Sequence, residues 1–356
     1  MTSRRLVIIA AILLLTGCSS DDVVPSSGEI AQLPHPVSNN AVAGVEVDGR
    51  FMAYSFAGLL AGKTWEDVTA NAYACDLAAG DCRSIAPLPD RVGRLASIAA
   101  TVGDQIYIFG GYTVAADNSE RSTPEAWRFD PVNEEYARLA DIRVPVDDSV
   151  ALVYQERYVY LVSGWHDHDN VANVQVYDVA ENEWFDATDW PGSPVFGHAA
   201  GVIGNVMLVC GGVEVVPPAA EGARRTFELY DACWRGEINP GNLAEIDWTQ
   251  VELEGGPRYR AAMVGSQRLD RFMILGGTDN PYNYNGVGYN GVPSEPDPSI
   301  LQIDADGTEA VQSDTEVRAM MDHRGLIEWN NGFVTLGGME AGQEVSAAVI
   351  YSRFED

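Results

Sequence analysis

The sequence predicts an all-β chain built from six similar sheets of four short strands, and three observations predict it. Paired small residues ending at Gly58, Gly111, Gly164, Gly212, Gly277 and Gly338 recur every 48 to 65 residues. Each pair closes the second of two apolar runs separated by a short polar break, as in ASIAATVGDQIYIFGG (96–111) and HAAGVIGNVMLVCGG (198–212). Finally, 35 Gly and 18 Pro in 356 residues, with no glycine every third position, mark a turn-rich globular chain and exclude a collagen. A period near 50 residues belongs to repeat architectures, in which no unit can cover its own apolar faces and each must stack on its neighbours.

In order, the paired apolar runs lie at 41–58, 96–111, 150–164, 198–212, 261–277 and 325–338. Runs such as IYIF (106–109) lack alternation, as expected of central strands buried on both faces. The glycines end the second strand, where the missing Cβ permits a sharp turn and close approach of neighbouring units. Downstream of most pairs comes an aromatic–Asp turn with a second aromatic beyond it. It reads WRFDPVNEEYARLADI (127–142), VQVYDVAENEWFDAT (174–188), FELYDACW (227–234) with Trp248 further on, and AYACDLAAGDCRSIAPLP (72–89). The fifth repeat keeps only Ile303-Asp304. The chain finishes EVSAAVIYSRFED (344–356), which supplies a third strand but no fourth, whereas GEIAQLPHP (28–36) resembles the fourth strands of other units. The N-terminal strand is therefore expected to complete the last sheet and remove its open edge, giving a six-bladed β-propeller over residues 29–356.

These repeats resemble those of kelch propellers. Tyr177, Asp178 and Trp184 match the kelch pattern best, followed by Phe129, Asp130, Pro131 and Tyr136. The resemblance implies that the two aromatic slots face each other across one hairpin. Since Cys75 and Cys82 fill those slots in the first repeat, it implies a disulfide there in place of the aromatic contact.

Composition bounds the function classes. With 46% hydrophobic residues the chain can bury a core, which excludes wholesale disorder. Lys and Arg number 22 against 52 Asp and Glu, a formal charge of -30, and no long basic run exists. A nucleic-acid or anionic-lipid binding surface is thereby excluded.

The N-terminus indicates an address. Arg4 and Arg5 precede an apolar run from Leu6 to Leu15, too short to span a bilayer but suited to a signal peptide. Leu15-Thr16-Gly17-Cys18 resembles the bacterial lipobox, which implies removal of residues 1–17 and lipidation of Cys18. Ser19 after that cysteine implies the outer membrane, facing the periplasm or the surface, and residues 18–28 form a polar tether. The only membrane contact expected is this lipid. Cys75, Cys82, Cys210 and Cys233 remain, an even number in an oxidising compartment. Proximity favours Cys75–Cys82 and Cys210–Cys233 among three pairings, with buried free thiols the alternative.

Candidate site residues fall on two sets of loops that share one face of the fold. Entries to the first strands carry Arg91, Arg94, Asp147, Asp148, His198, Arg258, Arg260, Arg318, Asp322, His323 and Arg324. Arg94 and His198 are binding candidates at the channel mouth. Arg258, Arg260 and Arg318 could grip a carboxylate, such as that of an acidic sugar, or could pair with acidic neighbours. The long loop 278–299 places Tyr282, Tyr284 and Tyr289 among Asn and Gly, a set able to stack on sugar rings or merely to cap the channel. In SGWHDHDNVAN (163–173), His166 and His168 are candidate metal ligands and Asp167 with Asp169 candidate calcium ligands, although such a turn is also ordinary loop chemistry.

No G-x-S-x-G elbow, H-E-x-x-H helix, P-loop or dinucleotide fingerprint is present, and GVGYNG (286–291) lacks a strand-to-helix context. The His set of kelch copper-radical oxidases is missing as well. No cofactor is expected. The leading expectation is a monomeric, non-enzymatic envelope module that binds a protein or glycan. The alternative is a periplasmic sugar-modifying enzyme resembling the sialic-acid epimerases. In it Arg258, Arg260 or Arg318 would hold the substrate carboxylate and Asp322 or His323 would shuttle the proton.

Overall fold

The structure, a computed structural model, describes residues 27–353 apart from 91, 219–223, 254, 256, 257 and 314–316. The lipobox-like segment with Cys18, and Arg91, lie outside the described residues. The described chain is strands and turns, with two single-turn 3₁₀ segments, Trp65–Asp67 and Ala341–Gln343, and no α-helix.

Six antiparallel sheets follow one another along the chain. From inner to outer strand the first runs Ala41–Val47, Arg50–Leu60, Val68–Asp76 and Asp81–Ile85. The second runs Ile98–Val102, Gln105–Phe109, Ala126–Asp130 and Glu135–Arg138, and the third Val150–Tyr154, Tyr158–Val162, Val174–Asp178 and Glu183–Asp186. The fourth comprises Ala199–Ile203, Val206–Cys210, Cys233–Ile238 and Ile246–Val251, and the fifth Ala262–Ser266, Arg271–Leu275, Ile300–Asp304 and Ala310–Gln312. In the sixth, Ile327–Trp329, Gly332–Leu336 and Ala348–Arg353 are joined by the first strand of the described residues, Gly28–Gln32, which pairs antiparallel with Ala348–Arg353. The Leu33 amide continues this contact by donating to the Ala347 carbonyl at 2.7 Å.

Inner strands of successive sheets adjoin, and that of the first sheet also touches that of the sixth. The core lies between sheets. The ring of Phe109 in the second sheet packs edge-on against Tyr177 and Trp184 of the third at 5.6 Å, and Phe56 meets Phe129 in the same way one sheet earlier at 5.3 Å. Tyr177 stands opposite Trp184, and Phe129 opposite Tyr136, across their hairpins. Cys75 stands opposite Cys82 at the matching register of the first sheet, and the two form a disulfide. A second disulfide, Cys210–Cys233, joins the middle strands of the fourth sheet.

At the glycine pairs close approach decides the residue. A Cβ on Gly110, whose φ is +56°, would lie 2.0 Å from the Val146 carbonyl oxygen of the next unit.

Candidate functional site

Each entry to an inner strand pairs with the residue that follows a pair of small residues ending in glycine, so Ser38 faces Leu59, Leu95 Tyr112, Asp147 Trp165, Phe196 Val213, Tyr259 Thr278 and Met321 Met339. Both loop sets therefore converge on one face. One residue beyond each entry, Asn39, Ala96, Asp148, Gly197, Arg260 and Asp322 all adopt a left-handed backbone, with φ between +49° and +69°. That turn aims their peptide groups sideways, and the sheets become linked through their main chain. The Ala96 amide donates to the Asn39 carbonyl at 3.1 Å, Asp148 to Ala96 at 3.1 Å, Gly197 to Asp148 at 2.7 Å, Arg260 to Gly197 at 2.8 Å and His323 to Arg260 at 3.1 Å. Arg324 returns the band to its start by donating from Nη2 to Asn39 Oδ1 at 2.6 Å.

Inside this band sits a buried ion network. Arg260 donates to Asp148 at 2.6 Å and Asp322 at 3.2 Å, and Arg324 reaches Asp148 at 2.6 Å and Asp322 at 3.5 Å. The Arg260 guanidinium also lies over the rings of Tyr259 and Tyr282, at 4.8 and 5.1 Å. Two cations thus serve two carboxylates with almost no solvent access. Burial works against the Asp148 carboxylate, but Arg260 and Arg324 outweigh it and hold its pKa below the usual value. Beneath the network a void of about 20 Å³ is bordered by His198 and His323. Burial pushes both imidazoles down to about 4, Arg324 adding to the effect at His323. His198 is therefore neutral and donates from Nε2 to the Val162 carbonyl at 2.9 Å.

Above the network opens a cleft of about 140 Å³. Its floor is Asp147, Asp148 and Arg260, and its walls are Tyr112, Trp165, Phe196, Phe227 and Tyr289, with Glu120, Arg225 and Asn283 at the rim. Four neighbouring sheets contribute, through hairpins grown from the second, third and fourth sheets and the long loop of the fifth. The rings form a continuous wall: Phe227 stacks on Tyr289 at 4.3 Å, and Phe196 and Trp165 each lie 6.0 Å from Phe227. Asp147 accepts from Ser122 Oγ at 2.6 Å. Burial, reinforced by the neighbouring Asp148 charge, raises its pKa well above the carboxylate range. Glu120, more open at the rim, is also raised by desolvation.

The residues expected from sequence divide sharply. Tyr289 lines the cleft, whereas Tyr282 is fully buried against Arg260 and Tyr284 packs half-buried at the cleft's edge. Arg94 donates to the Gly110 and Glu125 carbonyls and pairs with Asp90, so its guanidinium is spent inside the second sheet. Arg258 repeats that role at the glycine pair of the fifth sheet, donating to the Gly276 and Ser299 carbonyls and to Ser299 Oγ. Arg318 lies away from both, half-exposed between Glu29 and Glu340. Arg258, Arg260 and Arg318 are thus not brought together. Asp322 and His323 lie below the cleft floor.

His166 bonds the Pro145 carbonyl through Nδ1 at 2.7 Å, and Asp167 accepts from the Ser122 amide at 3.0 Å. Among the described residues no group of three or more His, Cys, Asp or Glu side chains could hold a metal ion. A larger cleft of about 290 Å³ between the fourth and fifth sheets is bordered by Arg258 and the Cys210–Cys233 disulfide. Its one cation is already committed to main-chain carbonyls.

Sequence reasoning passed over Glu120, Trp165, Arg225 and Phe227. A signal existed for Trp165: like Tyr112, it directly follows a pair of small residues ending in glycine and so faces the mouth.

Sheets repeated along the chain, with one loop face gathering side chains from several of them, define the class as an all-β repeat protein with kelch-like repeats. A kelch motif matches residues 99–142. The chain is 27% identical over 152 residues to kelch-like protein 15 of Gallus gallus, covering 39% of this chain and 30% of that protein. It is 28% identical over 204 residues to kelch domain-containing protein 3 of Rattus norvegicus, covering 50% of each. The chain therefore spans half or less of these relatives' length. The solved structure of YjhT superposes with a TM-score of 0.70 at 15% identity, covering 92% of this chain and 98% of that one, which speaks to the fold alone.

Proposed function

We propose that this chain is a lipid-anchored binding module of the bacterial cell envelope, a six-bladed propeller closed by its first strand, whose loop face takes a protein segment or a glycan. The observation that carries the reading is the aromatic-walled cleft, to which four neighbouring sheets contribute and which is open to solvent above a rigid floor. Rigid scaffolds that concentrate side chains from separate loops at one mouth are suited to recognition. Six successive sheets, five of four strands and one of five, and the pairing of Gly28–Gln32 with Ala348–Arg353 support the blade count and the closure. The lipobox resemblance of residues 15–18 supports the anchor, and Ser19 the outer membrane. Envelope pull-downs and a glycan array, run with the purified protein and a variant shortened within 281–292, test the binding. A partner lost in the variant is expected, and a partner retained by it would place binding elsewhere. Cys18→Ser should release the protein from membranes, and membrane retention would reject the anchor.

A second reading, a sugar-modifying enzyme of the sialic-acid epimerase type, is favoured by one observation: two carboxyls with raised pKa, Asp147 and Glu120, line the same cleft. Either could hold a proton at higher pH than an ordinary carboxylate and exchange it with a sugar hydroxyl. Accelerated mutarotation of sialic acid followed by NMR, lost in Asp147→Asn, would favour it over simple binding.

A further inference from the structure

We infer that the group this cleft recognises is an organic cation, a guanidinium or an alkylated ammonium, received between its aromatic wall and the carboxyls of Asp147 and Glu120. The inference rests on the cleft being the binding site and adds the chemistry of what enters it.

Three observations support it independently. The cleft already holds a cation of its own: the Arg225 guanidinium lies 4.9 Å from the centre of the Trp165 ring and 5.4 Å from that of Phe227. Those ring faces therefore offer the electron-rich surface that attracts cations with low hydration. Among the described residues Arg225 is tethered only at the rim, where it donates to the His168 carbonyl. It stands where a ligand's guanidinium would stand.

The second observation concerns charge left over. Asp148 and Asp322 are matched by Arg260 and Arg324, but among the described residues neither Asp147 nor Glu120 has a cation within ion-pair distance. Asp147, 3% exposed, keeps only the Ser122 hydroxyl, and Glu120 sits above it at the rim. An entering cation would take that vacant place and favour the ionised form that burial disfavours at both carboxyls.

The third is what the floor refuses. An anion would meet Asp147, Asp148 and Glu120, while the one arginine beneath is held by two carboxylates and two tyrosine rings. With 52 acidic residues against 22 Lys and Arg, the field of the whole molecule also draws cations inward. A neutral sugar could stack on the wall but would leave both carboxyls without a counter-charge.

The test uses the purified full chain, with tryptophan fluorescence and calorimetry as readouts. The probes are agmatine, tetramethylammonium, the tripeptide Gly-Arg-Gly, methyl glucoside and acetate. Saturable binding of the cations, with no binding of glucoside or acetate, is expected. Glu120→Gln, at the exposed rim where folding is not at stake, should weaken cation binding on the order of tenfold, and Asp147→Asn at least as much. Arg225→Gln frees two ring faces and should tighten it by a similar factor. Tripeptide binding tighter than agmatine would mark a side chain of a partner polypeptide as the source, and the reverse a free small molecule. Binding of glucoside or acetate in preference to the cations, or weaker cation binding in Arg225→Gln, overturns the inference. If a glycan binds and the cations do not, the binding module stands and the cation is wrong. If neither binds and shortening 281–292 changes nothing, both fall.

Discussion

Replacing Arg260 tests the buried network most directly. The guanidinium is 3% exposed and serves Asp148 and Asp322, themselves 2% and 0% exposed. In Arg260→Met a side chain of similar length remains, but two buried carboxylates are left to share Arg324, at 2.6 and 3.5 Å. One charge becomes surplus in a site with almost no solvent access. Stranding one partner of a buried ion pair costs about 3–5 kcal/mol, and the loss of stacking on Tyr259 and Tyr282 acts in the same direction. The surplus carboxylate can escape by taking a proton, so its folded pKa in the variant rises above its unfolded value. A group shifted that way adds stability at low pH and loses it as pH rises. Urea unfolding at pH 7.5 should therefore show the full deficit against the parent, and at pH 5.0 a smaller one. A deficit below about 1 kcal/mol, or one equal at both pH values, would refute the picture of two cations balancing two carboxylates. Arg318→Ala is the control. That side chain is 40% exposed and its partners Glu29 and Glu340 are 35% and 30% exposed, so its loss should cost no more than about 1 kcal/mol.

Two other outcomes follow from features already described. His198 and His323, with folded pKa values of about 4, bind fewer protons than in the unfolded chain between there and about 6.5. Their contribution is complete above that range and declines as pH falls through it, by up to about 3 kcal/mol each. His198→Gln, which keeps a donor for the Val162 carbonyl, should flatten the acid limb of a melting-temperature profile. The disulfides close spans of 7 and 23 residues, for which loop entropy gives about 2 and about 3 kcal/mol. Reductant should therefore lower the melting temperature, and Cys210→Ala with Cys233→Ala should lower it more than the pair at 75 and 82.

Much of the fold was legible because its requirements fall on side chains. Central strands buried on both faces must be apolar, and a turn pressed against the next unit's carbonyl must be glycine. Opposed slots on a hairpin must hold partners that touch, whether Tyr177 with Trp184 or Cys75 with Cys82. The floor of the site was illegible for the opposite reason. Asn39, Ala96, Asp148, Gly197, Arg260 and Asp322 share a backbone conformation, and the first five a chain of main-chain hydrogen bonds, and neither requires a common residue type. The arginines misled for a related reason. Arg94 and Arg258 resemble ligand-binding residues in sequence, yet each is spent on carbonyls near a glycine pair, and only coordinates distinguish such an arginine from a free one. Tyr282 reads as a binding candidate alongside Tyr284 and Tyr289 because nothing in the loop says which of three tyrosines turns inward to cover Arg260.

The seam between Gly28–Gln32 and Ala348–Arg353 has a kinetic consequence. Ser27 Oγ accepts from the Arg353 amide across 326 positions of chain, so this early segment acquires its partner only after everything between the two has been made. Until then one ribbon lacks a neighbour and another has not emerged, and each exposes main-chain groups able to pair with a stranger. Slow folding follows from so distant a contact. The hazard is greatest in the interval between release of the chain and sealing of that seam, when a holding chaperone would matter most.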